Sequence, residues 1–298
     1  MNNMVLVTGA NGFVGQHLVT SLLERNYAVL ATGKGPARFD INRPGLIYRD
    51  ADITDPFALQ SIIEQEKPGI IIHSAAMSQV DDCEKNQPEA HFVNVEATAR
   101  LLLDAEEHSR FFIFLSTDFV FDGEKGYYSE EDETNPINWY GHTKLEAEAI
   151  VQTSGIPWAI VRTCLVFGEA PAGGRNTIFS WIRNSLKEGK SIKVVDDQWR
   201  TPTYVKDLVA GIIAIVEKQA TGIWHISGED SVTPYQLAVR IAEKGGWPTD
   251  QLERVTASTF QQAGKRPPKT GFSIDKAREQ LGFQPLSLDA ALAELLSS

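Results

Sequence analysis

Two residues in the middle of the chain have types and spacing that could support proton transfer. Tyr140 and Lys144 lie four residues apart in NWYGHTKLEAE, a segment with the pattern of a helix start. Because residues i and i+4 share one face of a helix, the phenol and the ammonium group would lie side by side. A nearby positive charge favours the phenolate of a tyrosine, whose ordinary pKa is about 10. The pair could therefore act as a general acid, although a half-exposed aromatic residue beside a solvated lysine has the same pattern.

A glycine motif near the start of the chain could bind a phosphate. In VTGANGFVG, Gly9, Gly12 and Gly15 lie between an apolar segment and an amphipathic one. Glycines at a strand-to-helix turn allow the backbone to approach a pyrophosphate at the helix N-terminus. A lone glycine triplet would indicate only a tight turn, but at the first strand of a βαβ pattern it predicts a nucleotide site.

The residues after the second predicted strand bear on the choice between NAD and NADP. An acid at this strand end would bind the ribose hydroxyls of NAD, whereas a cation would accommodate the 2′-phosphate of NADP. The segment ATGKGPAR has no acid there, and Lys34 and Arg38 follow. We therefore predict NADP, used as NADPH, although two solvated cations would give the same pattern. Asp52 either meets the adenine edge or caps the helix that starts near Pro56.

The elements that must position these residues alternate through the first half of the chain. Predicted strands cover residues 4–9, 27–33, 46–54, 69–76, 110–117 and 157–168. Predicted helices cover residues 13–26, 56–66, 88–108 and 139–152. Apolar strands separated by helices predict an α/β fold with a doubly wound parallel sheet that is covered on both faces.

The pattern loosens after residue 168, which predicts a second, smaller lobe. We assign residues 1–168 to the NADP-binding domain, with a return segment at about 204–228. Residues 169–203 and 229–298 would form a C-terminal substrate-binding lobe.

Composition excludes several classes of protein. The 298 residues are 42% hydrophobic and 22% charged, as in ordinary globular proteins. The net charge of -11 argues against nucleic acid or an anionic membrane as the main partner. We see no signal peptide and no segment of transmembrane length, so we expect a cytoplasmic protein. Cys83 and Cys164 do not make a disulfide framework or a zinc site, and we expect no metal.

Four segments follow one another along nearly the whole chain: TGANGFVG, LSTDFVFDG (115–123), WYGHTKLEAE and VVDDQWRTPTYVKDL (194–208). Together they resemble the extended short-chain dehydrogenase/reductase family, and within it the dTDP-4-dehydrorhamnose reductase branch. The resemblance implies a Rossmann-like domain and a catalytic set of Thr117, Tyr140 and Lys144. Tyr140 would protonate a carbonyl oxygen, Thr117 would hydrogen-bond the same oxygen, and Lys144 would also hold the nicotinamide ribose.

The resemblance and the motifs together define the expected binding residues. Those expected at the cofactor are Gly9, Asn11, Gly12, Phe13, Val14, Gly15, Lys34, Arg38, Asp52, Ile53, Ala75, Ala76, Tyr140 and Lys144. Those expected at the substrate are Asp118, Phe119, Asn176, Arg200 and Arg266. Arg200 would contact the nucleotide diphosphate, which a bidentate guanidinium suits. Asn176 and Arg266 could equally be solvated loop residues.

Phe119 separates two related reactions. Related nucleotide-sugar 4,6-dehydratases have Thr-Asp-Glu where this chain has Thr-Asp-Phe, and a phenylalanine cannot accept a proton. It could also simply be a packing residue. We therefore predict NADPH-dependent reduction of the 4-keto group of a nucleotide-linked deoxysugar, most specifically dTDP-4-dehydro-L-rhamnose.

Two alternatives stay open. One is a nucleotide-sugar epimerase of the same superfamily. The other is a non-catalytic, NADP-binding regulatory subunit, because the regulatory β subunit of methionine adenosyltransferase has the same pattern. We expect a small nucleotide sugar as the partner, and a homodimer is left open.

Overall fold

A computed structural model describes residues 4–170 and 176–297. The strands are β1 Met4–Thr8, β2 Ala28–Gly33, β3 Leu46–Asp50, β4 Ile70–His73, β5 Phe111–Thr117, β6 Trp158–Thr163, β7 Val166–Phe167, β8 Ile192–Val195, β9 Thr203–Tyr204, β10 Gly222–His225 and β11 Leu252–Val255. Seven of them form one parallel sheet in the order β10-β6-β5-β4-β1-β2-β3. The predicted α/β fold with a doubly wound parallel sheet is confirmed.

Helices cover both faces of this sheet. They are α1 Phe13–Glu24, α2 Ala58–Glu66, α3 Val80–Lys85, α4 Gln87–His91, α5 Ala97–Ala105, α6 Trp139–Gln152, α7 Ile178–Lys187, α8 Val205–Lys218, α9 Pro234–Gly245 and α10 Leu288–Ser297. Successive side chains of a strand point to opposite faces. Val5 and Val7 of β1 accordingly pack in one apolar cluster with α1 and α8, and Leu6 packs in another with α2 and α5. The continuous apolar pattern of β1 therefore reflects burial on both sides.

Two predicted elements are interrupted. The helix predicted at 88–108 consists of α4, a π-helical turn at Phe92–Glu96, and α5. The strand predicted at 157–168 is divided at Leu165, whose φ of 38° lies in the left-handed region. Because of this bend, β7 leaves the main sheet and pairs with β9 in a separate two-stranded sheet.

The second half of the chain has an apolar cluster of its own. Residues of α7, α9 and α10 pack together with β8 and β11, and Phe13 of α1 packs against them. Strand β10, within the predicted return segment, pairs with β6 of the main sheet, whereas β9 pairs with β7 outside it. The division into two domains stays a prediction, and residues 171–175 of its second part lie outside the described residues. Within residues 4–170 and 176–297, no helix has both the length and the apolar character needed to cross a membrane.

Candidate functional site

Three of the predicted site segments meet at the carboxyl edge of the sheet. Strand order changes direction between β1 and β4, and ligands of open α/β sheets bind in the crevice at such a point. The glycine loop follows β1, Ala75 and Ala76 follow β4, and Thr117 ends β5. Tertiary structure therefore brings together segments that are more than 100 residues apart in sequence.

The geometry of the glycine loop requires glycine. Gly9 has a φ of +69°, and a Cβ there would lie 2.8 Å from the backbone nitrogen of Ala75. A Cβ on Gly15 would lie 2.2 Å from the carbonyl oxygen of Gly9. Helix α1 begins after Gly12 with no side-chain cap and no acidic residue in its first turn, which contains Phe13 and Val14. Its first backbone N–H groups therefore suit a phosphate.

Asn11 joins the glycine loop to the residues that follow β2. Its Nδ2 donates to the Tyr48 hydroxyl at 2.9 Å and to the Pro36 carbonyl at 3.1 Å. Its Oδ1 accepts from the Arg38 backbone N–H at 3.0 Å. The side chains of Lys34 and Arg38 lie on the exposed surface of this ordered loop. Both cations are therefore exposed to solvent after the end of β2, and Lys34 also pairs with Asp52.

Asp52 and Ile53 lie beside this loop. The Lys34 ammonium is 2.8 Å from Asp52 Oδ2, and Asp52 Oδ1 accepts from the Thr54 backbone N–H at 3.0 Å. Burial alone would raise the pKa of Asp52, but hydrogen bonds from Lys34 and Thr54 lower it to about 2. The suggestion that Asp52 caps the next helix is wrong, because Asp55 accepts from Ala58, where α2 begins. Ile53 packs against the core beneath α2 and α5.

The predicted catalytic residues lie where α6 meets the end of β5. Asn138 caps α6 by accepting from the Gly141 backbone N–H at 2.9 Å. A Cβ on Gly141 would lie 2.1 Å from the Phe119 carbonyl oxygen, so the glycine allows α6 to approach the chain directly after β5. Tyr140 is half-buried at this contact and is hydrogen-bonded to the Thr117 side chain.

Burial moves the proton equilibria of Tyr140 and Lys144 in opposite directions. It raises the pKa of Tyr140, and the hydrogen bond with Thr117 opposes that change. Lys144 is buried with its Nζ 3.8 Å from the centre of the Phe114 ring. Burial lowers the pKa of Lys144 to about 7. The phenol is therefore protonated at neutral pH, as a general acid must be, and stabilisation of the phenolate by Lys144 stays a prediction.

Two predicted substrate residues are paired with each other. Asp118 Oδ2 lies 3.8 Å from Arg200 Nε and accepts hydrogen bonds from Thr270 and, at 3.3 Å, from the Cys164 thiol. Burial raises the pKa of the Asp118 carboxyl, and the charge of Arg200 opposes it. Arg200 also donates to the carbonyl oxygens of residues 267 and 199, at 2.8 and 2.7 Å. The guanidinium is thus held within the protein, and its contact with a diphosphate stays a prediction.

The other three predicted substrate residues have different environments. Phe119 lies between Tyr140 and Arg200. Its ring centre is 6.2 Å from that of Tyr140 and 5.5 Å from the Arg200 guanidinium carbon. Arg266 forms a bidentate pair with Asp81 of α3, at 2.6 and 2.9 Å. Asn176 is exposed and directly precedes Thr177, the cap of α7. Phe119 is therefore the predicted substrate residue that contacts Tyr140.

Comparison with known proteins matches residues 2–298 to the RmlD substrate binding domain. The chain belongs to this family. A dTDP-4-dehydrorhamnose reductase of Aggregatibacter actinomycetemcomitans is 32% identical over 98% of this chain and 97% of the relative. Methionine adenosyltransferase 2 subunit beta of Bos taurus is 31% identical over 86% of this chain and 76% of the relative.

A solved structure extends the likeness of this RmlD-family chain to three dimensions. The dTDP-4-dehydrorhamnose reductase of Bacillus anthracis, determined in complex with NADP, superposes with a TM-score of 0.87 at 27% identity. The match covers 100% of this chain and 99% of that one. The predicted membership of the extended short-chain dehydrogenase/reductase family, with its Rossmann-like fold, is therefore confirmed.

The RmlD-family site contains polar residues that the sequence interpretation missed. Asn94 lies in the π-helical turn, accepts from the Met77 backbone N–H at 2.8 Å and donates to Thr143 Oγ1 at 3.0 Å. Thr143 in turn donates to the Tyr140 carbonyl at 2.9 Å. A buried asparagine in a helix was a usable signal, because π-helical turns are frequent at functional sites.

Cys83 lies on α3 and was not among the residues predicted at the site. It is buried, and burial raises its pKa to about 11. A Cys83 thiolate would interact electrostatically with both Tyr140 and Lys144, so the thiol lies near the predicted catalytic residues. Nothing in the spacing of the cysteines indicated this position.

Proposed function

We propose that the protein is an NADP-dependent oxidoreductase that uses NADPH to reduce the 4-keto group of a nucleotide-linked deoxysugar, with dTDP-4-dehydro-L-rhamnose as the substrate. The observation that carries this proposal is the meeting of Thr117, Tyr140 and Lys144 with the glycine loop at one edge of the sheet. Family membership and the reductase of A. actinomycetemcomitans support the reaction class. NADP in the B. anthracis structure supports the cofactor.

The residues at the cofactor side fit NADP. The uncapped first turn of α1 and the glycines of its loop would hold the pyrophosphate. Lys34 and Arg38, exposed at the end of β2, would hold the 2′-phosphate. When bound, the reduced nicotinamide supplies the hydride. Lys144 would hold the nicotinamide ribose beside Tyr140.

The protein's own residues would supply the proton for the reduction. Thr117 and Tyr140 would both donate hydrogen bonds to the substrate carbonyl oxygen, which places the phenolic proton next to the atom that gains charge. Tyr140 would then transfer its proton to that oxygen. The Lys144 ammonium would stabilise the phenolate that remains. Phe119 offers no base beside the ketone, which favours reduction over dehydration.

NADPH absorbance tests the reaction directly. The purified protein is given dTDP-4-keto-6-deoxy sugars with and without the 3,5-epimerase of the rhamnose pathway. We expect oxidation of one NADPH per sugar and no reaction with dTDP-glucose. Conversion of dTDP-glucose without net cofactor use would contradict the reductase assignment. Oxidation only with another nucleotide or sugar would keep the mechanism and reject the rhamnose substrate.

A single hydroxyl group tests the role of Tyr140. Tyr140→Phe should lower kcat by roughly 10²–10⁴-fold, the usual contribution of a positioned acid, while NADPH binding is retained. Tyr27→Phe is the matched control, because Tyr27 precedes β2 at the opposite edge of the sheet. Unchanged turnover in Tyr140→Phe would reject its role as the acid. Tight binding of a partner protein, without turnover in the wild type, would support the regulatory-subunit alternative.

A further inference from the structure

Two fully buried charged side chains lie directly behind the proposed catalytic set. Glu148, one turn after Lys144 on α6, is 0% exposed, and Arg162 of β6 is 3% exposed. Arg162 Nε donates to Glu148 Oε1 at 3.0 Å, and its Nη2 donates to Oε2 at 2.7 Å. Ser116 Oγ donates to Glu148 Oε1 at 2.5 Å. Bidentate pairs of this kind fix the orientation of both partners.

The ion pair connects three elements of the site. Ser116 immediately precedes Thr117 in β5, and the sheet register places Ser116 opposite Arg162. Glu148 therefore attaches α6 to β5 and β6 directly behind Thr117. Because residues i and i+4 share a helix face, the same attachment sets the position of Lys144 and, one turn earlier, of Tyr140.

The groups around Lys144 include one carboxylate, and that carboxylate is paired with another residue. Both Glu148 oxygens bind Arg162, whereas the Lys144 ammonium lies on the face of the Phe114 ring. The other titratable groups that interact with Lys144 are the Cys83 thiol on α3 and the His73 imidazole at the end of β4. Burial raises the pKa of Cys83 and lowers that of His73, so both are neutral at pH 7. Glu148 is the nearby carboxylate that favours the ammonium form of Lys144, and Arg162 offsets it.

We propose that Glu148 and Arg162 are positioning residues for the reduction. Their ion pair fixes α6 behind Thr117, and it keeps the Glu148 carboxylate from pairing with Lys144. The inference rests on the function proposed above for Lys144. A lysine without its own counter-ion can direct its charge to the Tyr140 phenolate and to the ribose. It also exchanges its proton near neutral pH, in keeping with its lowered pKa of about 7.

A lysine titration followed by NMR tests this proposal without cofactor. The protein carries ¹³C at the lysine ε position, and the Lys144 signal is identified by its loss in Lys144→Arg. Arg162→Met leaves Glu148 to act on Lys144 alone, so the midpoint should rise by about 1 pH unit or more. Glu148→Gln keeps the shape and removes the negative charge, so the midpoint should fall. The double variant should lie between the two.

Opposite shifts distinguish this role from a purely structural one, which would not move the midpoints in opposite directions. Arg49→Met is the matched control, since Arg49 pairs with Glu66 at 2.7 Å on a distant surface. Unmoved midpoints, or shifts in one direction, would overturn the proposal. If Arg162→Met does not fold, Glu148→Gln decides alone: a fall supports the proposal, and no change rejects it. A separate NADPH titration tests the proposed function. If the protein does not bind NADPH but the Lys144 midpoints still shift, the proposed function is rejected and the effect of the ion pair on Lys144 is retained.

Discussion

The proposed cofactor side and the proposed substrate side of this site differ in how their cations are paired. On the cofactor side, Lys34 and Arg38 are exposed on a loop that Asn11 orders, and the first turn of α1 has no side-chain cap. On the substrate side, Arg200 is buried against Asp118, and Arg266 is paired with Asp81. The proposed cofactor side therefore leaves its cations exposed, with one of them in an exposed pair with Asp52, whereas the guanidinium groups of the proposed substrate side are held in pairs within the protein.

The difference follows from chain distance. Asn11 lies in the turn between β1 and α1, and Lys34 and Arg38 follow β2, so a short local motif would build the cofactor side. On the substrate side, one ion pair joins Asp118, after β5, to Arg200, and another joins Asp81 of α3 to Arg266. Removing one partner of a buried ion pair strongly destabilises the folded protein. The two sides should therefore respond to mutation in different ways.

The largest expected effect comes from breaking the buried pair on the substrate side. Arg200→Ala leaves the Asp118 carboxylate buried without its cation and should lower the free energy of unfolding by about 3–5 kcal/mol. Denaturant unfolding measures it. Arg25→Ala, which breaks an exposed pair with Glu217 at 3.9 Å, should cost less than about 1 kcal/mol. Normal stability of Arg200→Ala with only a raised KM for the sugar would make Arg200 a diphosphate ligand after all.

The next effect tests the cofactor side. Gly15→Ala places a Cβ 2.2 Å from the Gly9 carbonyl oxygen, so the loop must shift, and we expect a loss of about 1–3 kcal/mol in stability. NADPH affinity should fall as well, because the displaced loop carries the phosphate-binding N–H groups. Gly155→Ala has its nearest neighbour at 3.7 Å and serves as the control. Unchanged NADPH binding in Gly15→Ala would remove the glycine loop from the cofactor site.

Acid should destabilise both sides through two buried histidines. Burial lowers the pKa of His73, behind the glycine loop, and of His225, at the end of β10, to about 3 from 6.5. Between these values the unfolded chain binds protons that the folded protein does not, so stability falls as pH decreases below 6.5. Each histidine should contribute about 1.4 kcal/mol per pH unit in this range. Unfolding measured from pH 7 to 5 tests the total, and His73→Asn and His225→Asn should each reduce the slope. A slope that neither variant changes would show that other groups control acid stability.

The smallest effect concerns the choice of cofactor. Lys34 is 83% exposed and pairs with Asp52, so Lys34→Ala should weaken NADPH binding modestly and leave NADH binding nearly unchanged. Binding titrations with both cofactors measure the selectivity. Lys67→Ala, on the turn that ends α2, is a control remote from the 34–38 loop. Equal or better affinity of the wild type for NADH would reject the NADP assignment for this loop.

Local patterns predicted much of this molecule, because their causes are local. The glycine spacing, the apolar strands and the i, i+4 relation of Tyr140 to Lys144 follow from backbone geometry over a few residues. The π-helical turn at Asn94 and the bend at Leu165 were missed, since both interrupt patterns that otherwise look continuous. The helix α3, with Cys83 beside the site, was also absent from the prediction.

The sequence by itself determined the strands of the sheet, the glycine turn and the spacing of the proposed acid and its neighbouring lysine, since each depends on residues close together in the chain. Tertiary structure alone decided which charged groups are paired. Asp118 with Arg200, Asp81 with Arg266 and Glu148 with Arg162 join residues from 14 to 185 positions apart. The sequence alone does not show whether a charged side chain is solvated or buried. Only packing removes the water, and that removal makes a partner necessary and changes the pKa of Lys144.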